Sequence, residues 1–159
     1  MDVTPLRTDL IDELTELMEL GRPFITLRTR SDYWVYATLF SGTCLVAVDS
    51  SQLVGAMLAF RSQDEPGDMY IQDVLVHPNH RDRGIARALI GALRDRTASW
   101  GCRRLWLTSD PRNATAHRAW LALGFTNLPG DQVVDGVEVV SDFKGPGRDR
   151  ALYELPVTG

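Results

Sequence analysis

The sequence is poor in cysteine, and the two it has, Cys44 and Cys102, sit at no metal-ligand or redox spacing. Neither a disulfide framework nor a cysteine-based metal centre is expected, so the reading includes no metal and the reducing cytoplasm as compartment. No apolar run is long enough to span a bilayer. The first twenty residues carry Asp2, Asp9, Asp12, Glu13, Glu16 and Glu19, without the basic start or apolar stretch of a secretory leader. Membrane attachment is therefore not expected. Positive charge is in deficit, 17 Lys and Arg against 21 Asp and Glu for a net charge of -4, which disfavours nucleic acid as a partner. The Gly-Lys-Ser/Thr ending of a nucleotide loop, the Gly-x-Gly-x-x-Gly of a dinucleotide site, internal repeats and low-complexity segments are all missing. What is present, 159 residues with 44% hydrophobic content, suits a single domain over residues 1–159 with a sizeable core.

Residues 70–125 organise the chain. A β-branched and aromatic run, 69–77, ends at Pro78, which cannot donate to a sheet ladder. Arg81, Asp82, Arg83, Gly84, Ile85 and Ala86 then lead into helical spacing, with Ile85, Leu89, Ala92, Leu93 and Trp100 near one stripe and Arg83, Arg87, Arg94 and Asp95 off it. The helix should stop near Gly101. Its first turn offers unpaired N–H groups and the positive end of the peptide dipoles, with Gly84 and Ala86 small enough for close approach to the backbone. Arg81, Arg83 and Arg87 add positive charge in an acidic chain. An anionic, phosphate-bearing ligand fits such a place; the plainer reading is an eased turn with solvated arginines.

The stretch resembles the acyl-CoA-binding core of the GNAT superfamily of N-acetyltransferases. Arg81, Gly84 and Ala86 match its signature of Arg or Gln, two residues, Gly, one residue, then Gly or Ala. Val76-His77-Pro78 matches the strand end before it, and Asn113, Ala116, Leu123, Gly124 and Phe125 match its second block. The resemblance implies that the backbone from Arg81 through Asp82, Arg83, Gly84, Ile85 and Ala86 to Arg87 holds the pyrophosphate of acetyl-CoA. It implies that Val74, Leu75 and Val76 pair with the pantetheine arm while one of their N–H groups polarises the thioester, and that Asn113 meets the arm from the far side.

The match has gaps. The tyrosine that the family places against the thioester sulfur aligns with Trp120, whose indole has no proton to give near neutral pH. Trp120 fits a wall of the acyl pocket or plain core packing. Ser109 and His117 are the nearest alternative proton donors, although His117 also reads as an ordinary helix-surface histidine. Gln72 occupies a position where the family often has Glu. Asp73 is the remaining candidate base. With a period of two, Met69, Ile71, Asp73 and Leu75 share one face, so Asp73 interrupts an apolar surface. Burial would raise its pKa and suit it to accept a proton, whereas a nearby arginine would lower it and make it structural.

Elsewhere, residues 3–7 read as an edge strand. Thr8 or Asp9 caps a helix bearing Leu10, Leu14, Leu17 and Met18, and Ser31 caps a second helix rich in aromatics. In related folds that region borders the acceptor, so Arg28, Tyr33 and Tyr36 become candidate substrate contacts, with aromatic core packing as the alternative. Residues 44–49 and 53–61 form a hairpin around Ser50 and Ser51. The strands 69–77 and 103–108 should run parallel around the central helix, and all other neighbours antiparallel. Asp135-Gly136 marks a hairpin turn beyond Phe125 that would rim the acceptor pocket or mediate a homodimer. The expectation is a mixed α/β fold: a mostly antiparallel twisted sheet with one parallel pair, flanked by helices. It would move an acetyl group from acetyl-CoA to a primary amine of a small molecule or peptide by direct transfer. The alternatives are a non-catalytic acyl-CoA-binding sensor or partner-binding module on the same fold and an unrelated small-nucleotide-binding protein.

Overall fold

A computed structural model describes residues 1–157. The strands are β1 (Asp2–Pro5), β2 (Cys44–Asp49), β3 (Gln52–Arg61), β4 (Asp68–Val76), β5 (Arg104–Ser109), β6 (Thr126–Asn127), β7 (Gln132–Val134), β8 (Val137–Val139) and β9 (Ala151–Pro156). The helices are α1 (Ile11–Glu19), α2 (Arg30–Leu39), α3 (Ile85–Ser99) and α4 (Ala114–Ala122). Seven strands make one sheet in the order β1-β2-β3-β4-β5-β9-β6, and β7 and β8 pair separately. Among the described residues only β4 and β5 run parallel, and every other neighbouring pair is antiparallel. This is the expected mixed architecture.

Both faces of the sheet are covered. On one, Ile85, Leu89, Ile90 and Leu93 of α3 pack with Leu45, Met57, Met69, Ile71, Leu105 and Leu107. On the other, Ile11, Leu14, Leu17 and Met18 of α1 and Tyr33 and Ala37 of α2 pack with Val46, Leu58 and Leu75. Each fully buried aliphatic side chain contributes about 1.5–3 kcal/mol. The α3 stripe differs from the expected one at its end: Thr97 is buried and Trp100 is 38% exposed, because α3 stops at Ser99 and Gly101 turns the chain at φ 75°. The cap of α2 is Thr29 rather than Ser31. Its hydroxyl accepts from the Asp32 N–H while the Asp32 carboxylate accepts from the Thr29 N–H, the reciprocal pattern that satisfies two free donors. A 3-10 turn over Thr8–Leu10 precedes α1, with no side-chain cap.

The larger correction concerns β4. Opposite β3, Leu58 pairs with Asp73 but Ala59 pairs with Ile71, so Gln72 is an extra residue, a β-bulge. The bulge shifts the alternation by one. Met69 and Ile71 face α3, whereas Leu75 faces α1 and α2. Asp73 therefore does not share the face of Met69 and Ile71, although it is buried.

At the opposite end of the strand Arg104 donates to both Asp68 oxygens at 3.0 Å and to Glu154 at 2.9 Å, tying β4, β5 and β9 together. That guanidinium holds the Asp68 carboxyl below its ordinary pKa. Pairing of β4 with β5 runs only from Asp68–Arg104 to Ile71–Leu107. Past the bulge the two strands part, and α4 stands beside the opening.

Candidate active site

The opening between β4 and α4 is a cleft with two continuous parts. The outer part is lined by Arg22, Ile25, Val74, Leu75, Val76, Arg81, Ala86, Asn113, Ala116, Trp120 and Leu123. The inner part shares Ile25, Val74, Asn113, Ala116 and Trp120 with it and continues to Arg28, Tyr70, Gln72, Asp73, Ser109, Asp110, Lys144 and Arg150. The loop between α1 and α2, with Phe24 and Ile25, covers both.

The outer end is built to receive an anion. Asp82 and Gly84 adopt φ of 61° and 76°, and such left-handed turns beside right-handed residues direct successive N–H groups to one side. The amides from Asp82 to Arg87 have no hydrogen-bond acceptor among the described residues, since the first bond of α3 is from Ala88 to the Gly84 carbonyl. A Cβ on Gly84 would meet nothing within 4 Å; the space above the amides is open. The charged head of Arg87 is used otherwise, donating to the Ala122 carbonyl at 3.2 Å and bracing α3 against α4. Arg83 is exposed.

Along the middle of the cleft, Val74 and Val76 face Asn113 and Trp120. The Asn113 oxygen caps α4 by accepting from the Ala116 N–H at 3.1 Å, which leaves its amide N–H groups free of any acceptor among the described residues. Trp120 stacks edge-on against Phe125 at 5.3 Å and forms a wall. An extended polar chain fits between a strand edge and these donors. The cleft thus suits a long ligand with an anionic outer end.

At the inner end lies Asp73, whose Oδ2 accepts from Nε and Nη2 of Arg28, both at 3.4 Å. The two effects weighed from sequence are both present. Burial pushes the Asp73 carboxyl up, Arg28 pulls it part of the way back and Lys144 adds a smaller downward pull, leaving it at about 6. Ser109 lines the cleft near it. His117 does not line either part: its Nδ1 is 2.6 Å from the Tyr153 hydroxyl on β9. Tyr33 and Tyr36 also lie outside the cleft. Tyr33 is fully buried, and its hydroxyl accepts from the Arg28 N–H at 3.2 Å, fixing the backbone that presents Arg28; Tyr36 packs on Phe60 at 4.9 Å. Both cysteines are buried thiols, with Cys44 pushed up to about 12, and neither lines the cleft. Among the described residues no cluster of His, Cys, Asp and Glu is arranged to hold a metal, and no helix is long and apolar enough to cross a membrane.

Lys144, Arg150 and Tyr70 were not anticipated at the site, whereas Asp110, at the end of the second strand, was. The sequence marks the insertion beyond Phe125 as a rim of the pocket or a dimer contact, without indicating which of its side chains enter the cleft.

A splayed parallel pair, an amide cradle before a long helix and a buried carboxylate at the inner end define a mixed α/β domain with one continuous cleft along its central strand. Residues 10–125 match the model of the acetyltransferase (GNAT) family, and the chain belongs to that family. Among curated proteins it is similar to an L-2,4-diaminobutyric acid acetyltransferase from Nocardia farcinica, 30% identical over 110 residues, which are 68% of this chain and 57% of that protein. It is similar to another from Vibrio cholerae, 26% identical over 118 residues, 74% of this chain and 68% of that one. The chain thus spans little more than half of the Nocardia relative. Among solved structures, the diaminobutyrate acetyltransferase of Paenibacillus lautus, in complex with L-2,4-diaminobutyric acid and coenzyme A, superposes with a TM-score of 0.77 at 24% identity, over 99% of this chain and 96% of that one. The fold is the same.

Proposed function

We propose that this protein transfers an acetyl group from acetyl-CoA to a primary amine of a small molecule or peptide, directly, in a ternary complex. The observation that carries this reading is the continuity of the cleft. It runs from the free amides of 82–87 past Val74–Val76 and Asn113 to a buried carboxylate poised at about 6. In this reading Arg81 and the amides hold the pyrophosphate, the β4 edge and Asn113 hold the pantetheine arm, and Trp120 walls the acyl group.

Asp73 takes the proton of the incoming ammonium, directly or through water, which a carboxylate with a pKa near 6 does well close to neutral pH. The amine nitrogen then forms the amide bond as the thioester C–S bond breaks. The leaving thiol has an ordinary pKa of about 8.5 and departs as thiolate without a strong acid, and the Ser109 hydroxyl on the wall is a donor that can assist it. Both cysteines are buried away from the cleft, which supports direct transfer over a covalent enzyme intermediate.

The test is acetyl-CoA-dependent release of free thiol over a panel of amines, amino acids and peptides. L-2,4-diaminobutyric acid comes first in that panel because the named relatives act on it. Acceptor-dependent release with an acetylated product is expected. Coenzyme A binding without turnover of any panel member would instead favour the sensor reading, which Trp120 in place of the family's tyrosine makes worth testing.

A further inference from the structure

The inner end of the cleft carries more positive charge than an amine acceptor calls for. Three cations line it: Arg28, Lys144 and Arg150. Arg28 is committed to Asp73, and the other carboxylate there, Asp110, is committed to Arg112 at 2.7 Å. Lys144 and Arg150 form no salt bridge among the described residues. The Arg150 Nε is buried with no hydrogen-bond partner, a state that costs free energy unless a ligand or solvent fills it. Lys144 is the single lysine of the chain. Its Nζ donates to the Tyr70 hydroxyl at 2.7 Å and stands 5.2 Å over the Tyr70 ring, close enough for its charge to act on Asp73.

The loop that presents these two cations is built for the purpose. Arg150 is pinned by reciprocal backbone bonds with Val140, at 2.8 and 3.0 Å. The loop's own carboxylates are turned inward: Asp142 accepts from the Gly147 N–H at 2.7 Å, and Asp149 accepts from the Asp142 N–H at 2.9 Å and from Gln132. Phe143 packs edge-on to Trp106. Acidic residues adjacent in sequence thus neutralise neither cation. The loop lies beyond Phe125, outside the residues that the family model matches.

A bare amine, cationic in water, would be repelled from such a site, whereas a negative group on the same molecule would be drawn in and held. We propose that Arg150 and Lys144 form a carboxylate-binding subsite, and that the acceptor is an amino acid or a similar amine carrying a carboxylate. This rests on the acetyltransferase reading and narrows its substrate class. The guanidinium of Arg150 offers the carboxylate a planar pair of donors, and Lys144 adds a point charge.

The test uses pairs that differ only by the carboxylate: L-2,4-diaminobutyrate with 1,3-diaminopropane, ornithine with putrescine, and lysine with cadaverine. For each pair, kcat/KM is measured on the full chain, and calorimetry measures binding to the protein saturated with CoA. The wild type is expected to favour the amino acid of at least one pair by about 10- to 100-fold, the range for a charge-assisted hydrogen bond. Arg150→Gln and Lys144→Gln should each shrink that ratio, mainly through KM, and Arg150→Lys should restore part of it. A ratio near one in the wild type, or one that neither Gln variant moves, would overturn the subsite while leaving the transferase reading intact. Discrimination in binding without turnover of either member would uphold the subsite and count against catalysis. If neither member of any pair binds the CoA complex, the subsite is refuted.

Discussion

Replacing Asp73 by Asn separates two consequences of one buried carboxylate. Its displacement from 3.8 to about 6, at about 1.4 kcal/mol per pH unit, amounts to about 3 kcal/mol. The sign follows from proton binding. Between pH 4 and 6 the folded protein holds a proton on Asp73 that the unfolded chain has released, so stability falls as pH rises. The contribution of neutral Asp73 is fully present below 3.8 and is lost through about 6. Asp73→Asn cannot titrate, so urea unfolding of both proteins from pH 4 to pH 8 should show the wild type losing about 3 kcal/mol relative to the variant across that window. Loss of the partner for Arg28, a side chain still 24% exposed, adds an offset that does not follow the same slope. In the kinetic arm, kcat/KM of the wild type should fall on the acid side with a midpoint near 6, and the variant should lose about 100-fold or more in rate. Parallel stability curves for the two proteins would refute the burial argument. A variant with undiminished rate would refute the proton-transfer role.

Gly84→Glu fills the open space over the free amides and forces a side chain onto φ 76°, which costs about 1–2 kcal/mol in the left-handed region; titration calorimetry should show CoA binding weakened at least about tenfold. Gly55→Ala tests the seat of α3. The new Cβ would lie 2.8 Å from Ile85 Cγ2 and 3.3 Å from Leu89 Cδ1, so a loss of about 1–3 kcal/mol in urea unfolding is expected, with weaker CoA binding as the first turn of α3 is pushed from the sheet. Asn113→Ala removes the cap that accepts from Ala116. It should cost about 1 kcal/mol of stability and raise the KM for acetyl-CoA; an unchanged KM would remove Asn113 from the pantetheine wall.

The order of strands and helices, the parallel pair and the hairpin turns were legible in the sequence because each rests on short-range chemistry. Asp135 and Gly136, at φ 51° and 81°, are residue types that tolerate the left-handed region a tight hairpin turn requires, and Ser50 and Ser51, at 49° and 65°, were marked as a turn by the alternating strands on either side. The cradle was legible for the same reason, being one contiguous segment. The inner end was legible only in part: Arg28, Asp73 and Ser109 were named from sequence, and Lys144 and Arg150 were not. It is assembled from residues as distant as Arg28, Asp73 and Arg150, and no local pattern announces that the loop 141–149 will fold back over Tyr70. Tyr33 shows the intermediate case. Its aromatic spacing marked it as core or contact, and the structure gives it a buried ring whose hydroxyl holds the Arg28 backbone.

One inserted residue explains why strict alternation misplaced Asp73 and why a cleft is there at all. Without the bulge at Gln72, Asp73 and Leu75 would continue the face of Met69 and Ile71, and the carboxyl would point at the apolar packing under α3. With it, the face reverses just where pairing with β5 ends, at Ile71 and Leu107. The Asp68–Arg104–Glu154 clamp holds the strands together at the far end, so the parting is confined to the segment 72–76. A bulge is silent in a hydrophobic pattern because it changes the count, not the residue types. The strand still reads as an unbroken β-branched run, and only its partner's register reveals the extra residue. The buried carboxylate and the open strand edge beside it therefore share a single structural cause.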